Sequence, residues 1–141
     1  MMLRLCLLRL MLYIYLRLVK ILIIYLHRFM VQRFMVQLGN NDTRMKYHNM
    51  IKNAGFTVPV LIHPTAYVSP DAVLSPGCIV RAKAVVSRYA RLGEACIVNV
   101  GGLIDHDCVL GNGCHILMGA VVRNEVTLPE KTWLGANQVA E

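Results

Sequence analysis

The sequence predicts a mainly β protein: a parallel β-helix of about four coils, preceded by a remnant α/β segment and an apolar, basic N-terminal segment. Two observations carry this. From Ile62 the chain counts in sixes, and a small residue follows each repeat position four places on. A period of six suits neither a helix of 3.6 residues per turn nor a simple alternating strand, and it is a known β-helix period.

The first segment covers residues 1–33. The 141-residue chain is 56% apolar and 16% charged, with a formal charge of +7, which supplies a core and excludes wholesale disorder. The charge is lopsided. Residues 1–37 carry Arg4, Arg9, Arg17, Lys20, Arg28 and Arg33 and no acid, whereas residues 38–141 are nearly neutral. No basic footprint for nucleic acid remains in the body of the chain. Leu5–Leu26 is strongly apolar, but Arg9, Arg17 and Lys20 each cost roughly 2.5–3.5 kcal/mol at mid-bilayer. The uncharged runs Leu10–Leu16 and Ile21–Leu26 are too short to span, and no small-residue cleavage site follows. Two readings stay open here. Arg9, Arg17, Lys20 and Arg28 share one arc of a helical wheel, which suits a weakly membrane-surface helix, and Val19–Leu26 also suits a buried strand. Residues 28–32 and 33–37 both read RFMVQ, a direct duplication with the look of sequence slippage.

The second segment, residues 34–61, reads as the end of an α/β unit. Phe34–Leu38 suits a short strand, Gly39, Asn40 and Asn41 a turn, and Asp42 an N-cap. Thr43–Asn53 then forms a helix that Gly55 stops, and Thr57–Leu61 is β-prone. No G-x-G-x-x-G precedes it, so spacing gives no phosphate cradle.

The third segment, residues 62–141, is the repeat. Ile62, Val68, Leu74, Val80, Val86, Leu92, Val98, Ile104, Leu110, Ile116, Val122, Leu128 and Leu134 keep register without a miss. Ala66, Ala72, Cys78, Ala84, Ala90, Cys96, Gly102, Cys108, Cys114 and Ala120 follow four places on, as small residues expected to let the chain turn a corner. Three hexapeptides make an 18-residue triangular coil, and four coils stacked at about 4.8 Å give a prism roughly 20 Å tall. Cys78, Cys96 and Cys114 then lie one above another as core residues, with Cys108 in the next column. Without a C-x-x-C or secretory signals, these thiols suggest a reduced, cytoplasmic compartment and no metal site.

Of the five histidines, His106 and His115 interrupt outward positions nine residues apart, half a coil, and so lie on different sides of the prism. His106 stands between Asp105 and Asp107; a carboxylate beside an imidazole fixes its tautomer, as a general base requires. A solvated turn of mixed charge is the plainer reading of the same run.

The hexapeptide register, the opening Leu61-Ile62-His63-Pro64-Thr65-Ala66 and the run Ile104-Asp105-His106-Asp107-Cys108-Val109-Leu110-Gly111 resemble one family. It is the left-handed β-helix acetyltransferases of bacterial surface sugars, which includes the sialic acid O-acetyltransferases and the UDP-4-amino-sugar N-acetyltransferases. The resemblance covers about residues 36–141. It implies acetyl-CoA as co-substrate and a sugar or nucleotide-sugar acceptor. It also implies His106 as base, Asp107 as its acidic partner and Asn99 near the acceptor. His115 would contact acetyl-CoA near the thioester, and Gly119 would line the same channel. It further implies a homotrimer with each site between neighbouring prisms. Family members open with a glycine-rich α/β domain and continue through further coils, so the chain reads as truncated at both ends. The competing expectation is a catalytically incomplete remnant with a purely structural β-helix. A γ-class carbonic anhydrase fits less well, because it needs a different histidine spacing, and an ice-binding β-helix would show an outward column of identical residues.

Overall fold

The computed structural model describes residues 39–141, so the proposed strand at Phe34–Leu38 and the membrane-surface reading of residues 1–33 lie outside the described residues. Among the described residues no helix is long and apolar enough to cross a membrane.

The repeat folds as a three-sided prism of two-residue strands. One face stacks β1 (Leu61–Ile62), β4 (Ile79–Val80), β7 (Ile97–Val98), β10 (His115–Ile116) and β13 (Trp133–Leu134). The second stacks β2 (Tyr67–Val68), β5 (Val85–Val86), β8 (Leu103–Ile104), β11 (Val121–Val122) and β14 (Val139–Ala140). The third holds β3 (Val73–Leu74), β6 (Arg91–Leu92), β9 (Val109–Leu110) and β12 (Thr127–Leu128). Every pairing is parallel and joins residues eighteen apart, for example Ile79 with Ile97 and Ile97 with His115.

The core is the sixfold aliphatic set. Val80, Val86, Leu92, Val98, Ile104, Leu110, Ile116 and Val122 are buried among Cys78, Ala84, Ala90, Cys96, Cys108, Cys114 and Ala120. Ile62 departs from the set at 50% exposed, because among the described residues no coil lies beneath its own. The cysteine column is also a hydrogen-bond ladder. Cys78 Sγ donates to the Gly93 carbonyl, Cys96 to Gly111 and Cys114 to Pro129, at 3.1–3.2 Å.

The corners differ from the expectation. The small residue four places after each aliphatic is a packing residue inside the prism. The turn itself is made one place earlier, where Gly77, Lys83, Tyr89, Ala95, Gly101, Asp107, Gly113, Gly119, Glu125, Lys131 and Asn137 all have positive φ. For a non-glycine residue this conformation costs roughly 1–2 kcal/mol. The stacked coils offset it at most of these corners, where the N–H reaches a carbonyl one coil below: Ala95 to Pro76, Asp107 to Arg88, Glu125 to His106; the Lys83 N–H reaches the Thr65 hydroxyl instead. Coil stacking therefore sets the corner conformation, and residue type follows only loosely.

Among the described residues one helix, α1 (Asn41–Asn53), braces one corner. Its N-cap is Asn40, whose Oδ1 accepts from Thr43 N–H at 2.9 Å, and not Asp42; Asp42 lies inside the first turn and pairs with Lys131 at 2.7 Å. Gly55 ends the helix at φ +82°, as expected. Residues 57–60 form no strand, and Leu61 already belongs to the first coil. The corner carbonyls of Ala95, Gly113 and Lys131 point away from the ladder, and α1 supplies their donors. Arg44, fully buried, gives Nε to Ala95 at 2.8 Å and Nη2 to Gly113 at 2.7 Å, and Asn41 gives Nδ2 to Lys131 at 2.9 Å. His48 reaches Glu94 at 3.1 Å and lies so close to Gly77 that a Cβ there would meet its ring.

Candidate active site

The corner between the second and third faces carries His106. Its backbone is held from both sides: its carbonyl accepts from Glu125 N–H at 3.0 Å, and its own N–H donates to Asp105 Oδ1 at 2.7 Å. Asp107 stands in the left-handed conformation, φ +59°, which aspartate tolerates better than most residues. That turn brings Asp107 Oδ2 to 2.9 Å from His106 Nδ1. With the Nδ1 proton donated to the carboxylate, the lone pair lies on Nε2, which has no hydrogen-bond partner among the described residues. The ring is about one-third exposed and lines an open groove of about 450 Å³ with Tyr67, Ser69, Ser87, Arg88 and Asp105. An imidazole oriented by a carboxylate and open to a groove can take a proton from a bound nucleophile.

Asn99 and His115 form a second constellation on the first face and the corner after it. His115, in the outward column above Ile97, is 5% exposed. Its Nδ1 donates to the Gly39 carbonyl at 3.2 Å, and the Asn99 Nδ2 lies 3.5 Å from Nε2. The Asn99 Oδ1 is taken by Val100 N–H at 2.9 Å, so its amino group is the end turned to the imidazole. Burial pulls the His115 pKa below its usual value, the charges of Arg44 and Arg81 add to this, and the Gly39 bond opposes it. The ring is therefore neutral at physiological pH. Trp133, one coil further on and 54% exposed, meets it edge-on with centroids 4.7 Å apart. Gly119 turns the same corner at φ +65°, where a Cβ would collide with Asn137 Oδ1.

The structure thus pairs His106 with Asp107 and Asn99 with His115, places Gly119 near the second pair, and leaves the two groups at separate corners of one prism. Sequence reasoning missed Arg88 as a groove residue, although the coil period locates it eighteen residues before His106. Among the described residues no group of three metal-ligating side chains stands close enough to hold an ion.

A hexapeptide prism with an imidazole–carboxylate pair at an open corner is the arrangement found, and in fold and in sequence the chain is similar to hexapeptide-repeat β-helix acetyltransferases. No protein-family model matches the sequence. The acetyltransferase domain of PglB from Neisseria gonorrhoeae is 34% identical over 74% of this chain and 60% of that one, with a TM-score of 0.66; the same domain is also known in complex with acetyl coenzyme A. A histidine-to-asparagine variant of perosamine N-acetyltransferase from Caulobacter crescentus, in complex with CoA and GDP-perosamine, is 30% identical over 74% of this chain and 58% of that one, with a TM-score of 0.63. The chain therefore spans about 60% of the length of these neighbours. Serine acetyltransferase from Entamoeba histolytica, at 16% identity and a TM-score of 0.50, shares the fold.

Proposed function

We propose that this chain is an acetyl-CoA-dependent acetyltransferase of sugars, with His106 as general base. The observation that carries the reading is the His106–Asp107 pair at a groove-lining corner of a hexapeptide prism. The two neighbours at 30% identity or more act in support, one being an acetyltransferase domain and the other an N-acetyltransferase held with CoA and a nucleotide sugar. They favour a sugar amine over the sialic acid hydroxyl as nucleophile.

In this reading His106 Nε2 takes the proton of the acceptor amine as its nitrogen attacks the thioester carbonyl. The tetrahedral adduct then collapses with loss of the C–S bond, and His106 returns the proton to the departing thiolate sulfur. Asp107 holds the ring in the tautomer that can do both. At a second corner the Asn99 amino group is suited to hold the acceptor or a thioester carbonyl, while neutral His115, its Nδ1 proton given to Gly39, offers acetyl-CoA the Nε2 lone pair as an acceptor. Gly119 keeps that corner narrow-walled by having no side chain. Because the two corners are separate in one prism, the complete site would combine His106 of one copy with Asn99 and His115 of another, as in a homotrimer. A cytoplasmic location, where acetyl-CoA and nucleotide sugars are made, fits the reduced thiols.

The test is mass spectrometry of acceptors incubated with the chain and acetyl-CoA: a UDP-4-amino sugar, a GDP-4-amino sugar and sialic acid. Acetylation of an amino sugar is the expected result. Acetylation of sialic acid alone would replace the amine reading by the hydroxyl one. No product from any acceptor would overturn the activity and leave a structural β-helix.

A further inference from the structure

Arg88 occupies the same corner position as His106 one coil earlier, and both line the groove with Ser69 and Ser87. The coil rise puts their backbones about 4.8 Å apart. The carboxylates nearby are already accounted for. Asp105 accepts the His106 N–H and Asp107 holds Nδ1. Asp71, which also lines the groove, is beyond ion-pair distance of Arg88, and no other carboxylate among the described residues pairs with it. The guanidinium carbon lies 5.9 Å from the Tyr89 ring centroid, a loose contact that leaves the charge exposed. The groove therefore holds a planar, permanently charged fork beside two seryl side chains and an oriented imidazole. That geometry matches the oxygens of a phosphate or a carboxylate, which guanidinium binds through two parallel hydrogen bonds.

We propose that Arg88 is an acceptor-orienting residue. Its guanidinium clamps an anionic group of the acceptor, phosphate or carboxylate, and so aims the nucleophile at His106 Nε2. The inference rests on the acetyltransfer reading and narrows its acceptor class to sugars bearing an anion within reach of the reacting nitrogen or oxygen. No bond forms or breaks at Arg88.

The test is binding, which needs neither acetyl-CoA nor turnover. The full chain is titrated with uridine diphosphate, with N-acetylneuraminic acid and with neutral N-acetylglucosamine, following the His106 ring resonances by NMR. At least one anion is expected to move those resonances saturably. Arg88→Ala should weaken that anion tenfold or more, Arg88→Lys should recover part of the loss, and the neutral sugar should bind both forms alike. A response to the diphosphate assigns the clamp to a nucleotide sugar, and a response to the sialic acid assigns it to a carboxylate. The proposal is overturned if neither anion perturbs His106, if Arg88→Ala binds the anion as well as wild type, or if the neutral sugar weakens equally. Arg88-dependent anion binding without any acetyl transfer would sink the enzymatic reading while leaving the clamp in place.

Discussion

At the scale of single residues, Asp107 shows how function and local stability pull apart. It sits at φ +59°, a conformation that glycine adopts freely, while its carboxylate holds His106. That hydrogen bond is exposed, and exposed pairs of this kind contribute little to stability. Asp107→Gly is therefore expected to keep or slightly raise the melting temperature while lowering turnover, two readouts that a purely structural corner would not separate. His115 makes a second prediction. Its folded pKa lies below the usual 6.5, chiefly through burial. The unfolded chain thus takes the proton first on acidification. The contribution to stability is complete above pH 6.5 and declines as pH falls below it, until the folded ring also protonates. Denaturant unfolding from pH 7.5 to 5 should show this decline, and His115→Gln should flatten it. The pairing of His106 with Asp107 was legible in the sequence because the two are adjacent. The seating of His115 against Gly39 was not, because it joins residues seventy-six apart through a side chain and a carbonyl.

At the scale of elements, the hexapeptide register was legible almost completely, since an aliphatic every six residues can be buried only by a coil of that period. Ile104, at the centre of the prism and fully buried, should cost about 2–5 kcal/mol on truncation to alanine. The corners were read one residue late. Their positive φ falls on Ala95, Glu125 and Lys131, residue types with no preference for it, because the hydrogen bond to the coil below imposes it. The helix was expected, but its purpose was hidden. Arg44 looks like a surface charge in the helical pattern, yet it is buried and donates to corner carbonyls fifty-one and sixty-nine residues away. Arg44→Met strands the carbonyls of Ala95 and Gly113, each costing about 1–3 kcal/mol when buried and unpaired. Chemical denaturation should therefore show a loss of at least 2 kcal/mol, a rough sum from those two groups, with the helix signal in circular dichroism falling alongside.

At the scale of the whole molecule, the prism holds its two constellations at different corners, and that separation predicts sharing between copies. If His106 works with Asn99 and His115 of a neighbour, chains carrying His106→Ala mixed with chains carrying His115→Ala should recover part of the activity that each lacks alone. Mixing that restores nothing would place all the chemistry within one chain. Arg88 belongs to this scale too, since only the stacking of coils brings it beside His106.

The most direct measurement of the central claim compares acetyl transfer by wild type and by His106→Ala, using one amino-sugar acceptor and release of the CoA thiol as the readout. The side chain is partly exposed and outside the core, so the variant should melt at the same temperature. Turnover should fall on the order of 10²–10⁴-fold, the contribution typical of a positioned base. Undiminished turnover in a folded His106→Ala chain would contradict the account.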